Sequence, residues 1–325
     1  MEEENGRLIR AAMQVQRRSK VVQASQAIAS VSPGSKVAVG GLELCNRPML
    51  LVREFVRRSI KRLTLLSTPC GSIDIELLVG SGLVRELIVP RVSLGPIGLA
   101  PATARAIAGG KMLAHVVDSA SLIAGYRAAA AGQPAAAVPG SAAGDGRKDS
   151  RLLRDFTGPS GQVEQAIRAM VPDVALLHVQ ECDEYGNARQ LGGAAYDLLL
   201  ARASRRVVLQ TDRIVTPEEV QGDPGTITIS GNLVDAVVQA PYAAHPTAST
   251  LSYLQDDKAL WEYAAVAVTE EGFAGYVKEM IRGVATQREY LAKLPSGRLE
   301  ALEQWWEQAG YEQAQGWGED GGYYI

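Results

Sequence analysis

Short apolar runs closed by glycine, proline or a polar turn alternate along this chain with stretches of helical period. The clearest unit lies in residues 171–215. Residues 174–179 and 207–209 are apolar runs without polar alternation, and Leu198, Leu199, Leu200 and Ala203 between them follow a helical pattern. Strand, helix and strand in that order predict a βαβ unit, and unbroken apolar runs predict strands covered on both faces, as in a parallel sheet. Asp183, Glu184, Tyr185, Gly186 and Asn187 form a turn at the carboxyl end of the first strand, the edge where open α/β sheets bind ligands.

The same reading extends in both directions. Residues 21–30 predict a short amphipathic helix, 32–35 (Ser-Pro-Gly-Ser) a turn, and 37–39 a buried strand running into Gly40 and Gly41. Residues 48–59 predict a helix opening on Pro48, with Leu51, Val52, Phe55 and Val56 on one face and Arg53, Arg57 and Arg58 opposite. A strand at 63–66 leads into a hydroxyl-rich loop, 67–74. A helix from Ile75 ends near Gly80 or Gly82, a strand follows at 84–89, a loop at 93–98 and a small-residue helix at 100–108, and Val116 and Val117 suggest an edge strand. Beyond the central unit, Pro217 opens a short helix, 226–229 and 234–238 read as strands by β-branching, and 261–294 is largely helical. The fold class expected is α/β: an open, mostly parallel sheet with helices on both faces.

Composition narrows the picture. The chain has 325 residues, 46% hydrophobic and 21% charged, which supports a folded core burying roughly 75% of the unfolded surface. A formal net charge of −3 supplies no basic footprint for nucleic acid. No run approaches the ~18 apolar residues a membrane span needs. Residues 1–20 alternate Arg7, Arg10, Arg17, Arg18 and Lys20 with Leu8, Ile9 and Met13 and read as a solvated extension without a secretory core, so a cytoplasmic location is expected. One domain is expected over 21–294, with an Ala/Gly/Pro-rich flexible stretch at 128–150. The tail, 295–325, carries Trp305, Trp306, Trp317, Tyr323 and Tyr324. Cys45, Cys70 and Cys182 are too few and scattered for a disulfide framework or a zinc site. His178 and Cys182, four apart on a strand and turn, form no chelate, so no metal is expected.

Five segments together resemble the A (alpha) subunits of family I CoA-transferases, in particular the glutaconate CoA-transferase branch. SPGSKVAVGGLELCNRPM matches the family signature of an apolar strand, Gly-Gly, and a proline seven residues after the second glycine. LTLLSTPCGSIDIELLVGSGLV, PDVALLHVQECDEYGNA, VDAVVQAPYAAHPTAS and the late GFAGYVKEMI with REYLAKL follow in order and spacing, over residues 21–294. Pro33, Leu42 and Asn46 depart from the signature's usual Asp or Asn, Phe and Gly.

The resemblance implies transfer of CoA between an acyl-CoA and a carboxylic acid, dicarboxylic acids among them. The coenzyme A thioester is then a substrate, and no cofactor is permanently bound. In such enzymes a glutamate carboxylate attacks the thioester beside an oxyanion site of backbone amides, giving a mixed anhydride and then a glutamyl-CoA thioester. That glutamate belongs to a B subunit, in a Ser-Glu-Asn-Gly-like motif that this chain lacks. A partner B subunit in an A2B2 hetero-oligomer is therefore expected, with Glu43, Glu181 and Glu184 as the in-chain carboxylates near the sheet edge.

The resemblance also places an acyl-holding serine at Ser67, completed by Gly71, Ser72 and Asp74, and an acyl pocket at Gly40, Gly41, Asn46 and Arg47. Ser67 and Asp74 equally suit helix capping. Arg47 suits either the distal carboxylate of a diacid or a surface ion pair, while Gly186 and Asn187 suit a structural turn. A branch of the same fold hydrolyses a ring carbon bond in CoA-linked steroid catabolites and keeps an acidic residue near Ser119, next to Asp118 here. That hydrolase, and a non-catalytic scaffold or metabolite-sensing module, are the alternatives.

Overall fold

Seven of the apolar runs lie side by side in one direction. A computed structural model describes residues 18–138, 151–158, 161, 163–192 and 196–303. In it, strands β1 (Lys36–Val39), β2 (Leu63–Leu66), β4 (Val84–Val89), β6 (Leu113–Val116), β10 (Val174–Cys182), β12 (Val207–Ile214) and β13 (Ala236–Gln239) form one parallel sheet. Its order is β13-β12-β10-β1-β2-β4-β6, with β11 (Ala188–Arg189) antiparallel at the end of β10. Val37 of β1 sits between Val174 of β10 and Leu65 of β2. Two short strands, β3 (Cys70–Gly71) and β5 (Arg91–Val92), pair with each other beyond the sheet's carboxyl edge.

Helices cover both faces. On one, α2 (Met49–Arg58), α3 (Ile73–Gly80), α4 (Pro101–Ala108) and α8 (Asp257–Ala267) pack Leu51, Phe55, Leu78, Ala102 and Leu260 over Val37, Val39, Leu65, Leu87 and Leu176. On the other, α5 (Ser119–Ala130) and α6 (Asp197–Ala203) bring Leu122, Tyr126 and Leu200 onto Ala38, Leu66, Leu177 and Leu209. Coverage on both faces buries every residue of β2 and β10, including the polar Thr64, His178, Gln180 and Glu181. Shorter helices, α1 (Ala24–Ala27), α7 (Pro217–Gly222), α9 (Glu270–Tyr276) and α10 (Gln287–Leu291), complete the body; a π-helical turn, Val277–Arg282, follows α9.

Several expectations are corrected. Residues 226–229 form no strand: the Pro224–Thr226 segment is a 3-10 turn, and only Ile229 bridges to Ala188. Proline and glycine start a turn there that β-branching alone does not overcome. The edge strand is Leu113–Val116 rather than Val116 and Val117. Arg53, expected on the solvent face of α2, is buried, because α10 packs there: its guanidinium stacks 3.9 Å from the Tyr290 ring centre and bonds His245 O at 2.9 Å and Gln287 Oε1 at 2.7 Å. The Ala/Gly/Pro-rich stretch enters the fold at its start. Residues 128–130 end α5, and β7 (Ala135–Val138) joins β9 (Val163–Arg168) and β8 (Leu153–Thr157) in a small antiparallel sheet. Residues 139–150, the N-terminal extension to residue 17, and the tail aromatics lie outside the described residues.

Candidate active site

The chain leaves β1 for β2, β4 and β6 on one side, then returns to β10 on the other side of β1 before β12 and β13. The switch point thus falls between the carboxyl ends of β1 and β10, where the crevice of an open α/β sheet forms. Gly40 and Gly41 stand there. Gly41 has φ +80, and a Cβ on it would lie 2.5 Å from Asn46 O, so the loop closes on itself only with glycine at this position. Leu42 and Cys45 exchange backbone hydrogen bonds at 3.0 and 2.9 Å, with Glu43 between them at φ 50. The loop borders a cleft of about 650 Å³ lined by Gly41, Leu42, Leu44, Asn46, Asp197 and Thr250, among others. A second cavity, about 410 Å³, opens by Gly82, Val84 and Lys111 at the opposite, amino edge and holds none of the expected residues.

Arg47 is fully buried and ties the loops after β1 and β2 together. Its Nε donates to Glu43 O at 2.8 Å. One terminal nitrogen donates to Gly40 O at 3.0 Å, Thr68 Oγ1 at 3.2 Å and Asp74 Oδ2 at 3.2 Å, and the other to Cys70 O. Each guanidinium nitrogen therefore has a protein partner, and Arg47 is neither a surface ion pair nor open to a diacid. Asn46, at φ 54, lines the cleft, and its Oδ1 accepts from Gln180 Nε2 at 2.8 Å and Thr250 N at 3.0 Å.

The loop after β2 is equally enclosed. Ser67, Ser72 and Asp74 are fully buried. Ser72, rather than Ser67 or Asp74, stands at the N-cap of α3; its N–H donates to Asp74 Oδ1 at 2.8 Å and its hydroxyl to Ser93 O at 2.8 Å. The Ser67 carbonyl accepts from Tyr126 Oη at 2.8 Å, while its Oγ has no hydrogen-bond partner. A Cβ on Gly71 would lie 3.0 Å from that Oγ, so glycine keeps the space around it open.

The in-chain glutamates are spoken for or remote. Glu43, on the rim of the cleft, pairs with Arg91, and Glu181 is held between Arg189 at 3.2 Å and Arg213. Glu184 is half-buried on the DEYGN turn, away from the cleft-lining residues. That turn is built from Asp183, whose Oδ1 accepts from the amides of Tyr185 and Asn187 at 2.9 Å each and whose Oδ2 accepts from Asn187 Nδ2 at 2.7 Å. Asp118 caps α5, accepting from the Ser121 amide at 2.9 Å and from the Ser121 hydroxyl, and Ser119 opens the helix exposed.

Beside the cleft lie residues not named as site candidates from the sequence, among them His178, weighed there only as a metal ligand and set aside. His178, Gln180, Gln210 and Ser249 form a buried polar layer under the loop. Ser249 Oγ, His178 and Asp212 lie together, yet they do not form a nucleophile relay. The serine hydroxyl donates directly to Asp212 Oδ2 at 2.7 Å, and serine and aspartate face the same imidazole nitrogen, Nε2, at 2.9 and 3.3 Å. Nδ1 faces the Gln210 amide at 3.0 Å, which makes it the acceptor and Nε2 the protonated nitrogen. Cys45 borders the cleft with its thiol pKa pushed up by burial, so it is not a thiolate nucleophile. Asp197 is buried at the start of α6 with its pKa pushed up by burial to about 6. Its position as the first helical residue after a glycine-bearing loop is the only trace of it in the sequence. Among the described residues no group of three or more His, Cys, Asp or Glu can hold a metal, and no helix is long and apolar enough to cross a membrane.

A parallel sheet covered on both faces, with a glycine-pair cleft at its switch point, defines an α/β protein with a candidate ligand site at the carboxyl edge of the sheet. A model of the coenzyme A transferase family matches residues 21–240, and the chain belongs to that family. It is 34% identical over 290 residues, 87% of its length, to an uncharacterised protein of Archaeoglobus fulgidus, of which it spans 64%. It is 30% identical over 300 residues to the A subunit of glutaconate CoA-transferase from Acidaminococcus fermentans, covering 86% of this chain and 93% of that one. The crystal structure of that transferase superposes with a TM-score of 0.84 at 28% identity, over 88% of this chain and 96% of the other. The IpdA subunit of a cholesterol ring-cleaving hydrolase from Rhodococcus jostii is 31% identical over 281 residues, 83% of this chain and 94% of that protein.

Proposed function

We propose that this chain is the A subunit of a heteromeric CoA-transferase whose attacking glutamate comes from a partner B subunit. The observation that carries this reading is the cleft beside Gly41. It offers loop backbone and mostly neutral side chains; of its two carboxylates, Glu43 is paired at the rim with Arg91, and Asp197 accepts from the Gly41 amide and from Gln190. A thioester carbonyl held there needs a carboxylate from outside. The partner's glutamate attacks the thioester and CoA leaves as thiolate; the thiolate attacks the glutamyl carbonyl of the anhydride, giving the glutamyl-CoA thioester and releasing the donor acid. The acceptor carboxylate then attacks that thioester, expelling CoA thiolate, which attacks the acceptor's acyl carbonyl of the new anhydride, forming the product acyl-CoA and freeing the glutamate. The residues of this chain proposed for the acyl side are Gly40, Gly41 and Asn46, with Ser67, Gly71 and Ser72 in the adjoining loop; Arg47 and Asp74 hold the two loops in place. Relatives that bear the name of an A-type component support a hetero-oligomer, for which we propose A2B2 in the cytoplasm.

The second reading is a ring-cleaving hydrolase component, supported by the IpdA likeness. The commitment of Asp118 to its helix cap weighs against a proton-transfer role there. Co-expression with the product of the adjacent reading frame, followed by assay of acyl-CoA with added carboxylic acids, separates the two. Acid-dependent appearance of a new acyl-CoA supports the transferase, and water-dependent carbon bond cleavage without transfer supports the hydrolase.

A further inference from the structure

The carboxyl group of Asp197 sits directly beneath the glycine pair. It is 1% exposed, and its Oδ1 accepts from the Gly41 amide at 2.8 Å. A Cβ on Gly40 would lie 2.5 Å from the same oxygen and 2.6 Å from Leu177 Cδ2, so the glycine at 40 is required because Asp197 occupies that space. Oδ2 accepts from Gln190 Nε2, which also donates to His178 O at 3.1 Å.

Among the described residues, no basic side chain is hydrogen-bonded to or ion-paired with Asp197. Arg47 and His178 favour its ionised form from a distance, the Cys45 thiol is the other titratable group facing it, and burial outweighs them to leave its pKa near 6. The ionised carboxylate accepts at both oxygens. The neutral acid needs an acceptor for its proton, and Gln190 Oε1, a buried atom with no hydrogen-bond partner, supplies one only if the amide turns over and gives up its bond to His178 O. Protonation of Asp197 therefore costs the Gln190–His178 bond, and the grip on the Gly41 amide weakens because a neutral oxygen accepts less strongly than a carboxylate.

We propose that Asp197, steadied by Gln190, is a positioning residue that sets the Gly40–Gly41 turn and with it the wall of the acyl cleft. The role rests on the proposed use of that cleft, and it couples turnover to pH. The test uses the intact complex with its partner, in wild-type, Asp197→Asn and Asp197→Ala forms. Hydrogen exchange of a peptide spanning residues 40–46, read by mass spectrometry at pH 8, is expected to rise about ten-fold in Asp197→Ala and by less in Asp197→Asn, whose neutral Oδ1 still accepts but more weakly than the carboxylate. The kcat/KM of the wild type should fall on the acid side near pH 6, and that limb should vanish in Asp197→Asn, while Asp197→Ala loses on the order of 100-fold across the range. Unchanged exchange in Asp197→Ala, or an acid limb that persists in Asp197→Asn, overturns the proposal. If Asp197→Ala does not fold, the Asp197→Asn profile still decides. A complex with the expected exchange pattern but no CoA transfer to any acid would refute the transferase reading and leave the role of Asp197 standing.

Discussion

The Arg47 guanidinium lies 3.2 Å from the Asp74 carboxylate, and neither side chain is exposed at all. This pair fastens the loop after β1 to the loop after β2, the two segments that carry most of the proposed acyl site. Removing one partner strands a buried charge, which costs about 3–5 kcal/mol. Asp74→Ala should lower the unfolding free energy by about that much in urea titration. Arg47→Lys should not restore it, since an ammonium cannot reach the acceptors on both loops that the guanidinium spans.

If the attacking carboxylate is the partner's, the glutamates of this chain are dispensable for chemistry. Glu43→Gln, Glu181→Gln and Glu184→Gln, each in complex with the partner, should keep kcat within about five-fold of wild type in a steady-state transfer assay, whereas loss of a true nucleophile costs on the order of 10⁴-fold or more.

The C-terminal helices are pinned by Asp256. It accepts from His245 Nε2 at 3.0 Å and from two nitrogens of Arg298 at 2.7 and 2.8 Å. Burial opposes its ionisation, but the hydrogen bonds from His245 and Arg298 prevail and hold its pKa below the usual carboxylate range. Burial keeps His245 itself neutral, with its pKa lowered, and Nδ1 facing the Tyr290 hydroxyl at 2.8 Å. A carboxylate whose pKa is lowered by folding adds stability above its unfolded pKa of about 4 and loses it as pH falls further. Asp256→Asn should therefore cost about 3 kcal/mol at pH 7 and progressively less toward acid, measured by denaturant unfolding from pH 3 to 8.

Asp197 should show the opposite slope. Its pKa is raised to about 6 in the folded chain, so the native state binds more protons than the unfolded state between about pH 4 and 6. This group's contribution to stability falls as pH rises through that window and is constant above it. The difference in unfolding free energy between wild type and Asp197→Asn, followed over pH 4 to 8, should reveal that slope as a change confined to the lower half of the range.

Gly186 should prove structural. It has φ +85, and a Cβ there would lie 2.8 Å from two atoms of Val234. Gly186→Ala should destabilise the protein by about 2 kcal/mol through backbone strain and crowding, with KM for the acyl-CoA unchanged.

The central strands were legible because burial on both faces leaves them mostly apolar, as at Leu63–Leu66 with Thr64 the exception, and the glycine pair marked the edge where the proposed site lies. The small sheet was not, because β8 and β9 carry exposed Arg154 and Asp155 and half-buried Glu164 and Gln165 and show no apolar run. The resemblance puts Arg47 in the acyl pocket, with a surface ion pair as the alternative; its burial depends on acceptors at Thr68, Cys70 and Asp74 that only the packing of β1 against β2 brings near. Asp197 stands 156 residues from Gly41, and no local pattern announces that contact. The DEYGN turn was legible as a turn. The structure shows why it is one, through the four-way commitment of Asp183 and Asn187.

The location of the covalent intermediate tests the half-site directly. The complex is incubated with acyl-CoA, reduced with borohydride, digested and mapped by mass spectrometry. The account predicts a modified glutamate on the partner, with none on this chain. A modified Glu43, Glu181 or Glu184, or an adduct formed by this chain without its partner, would contradict it.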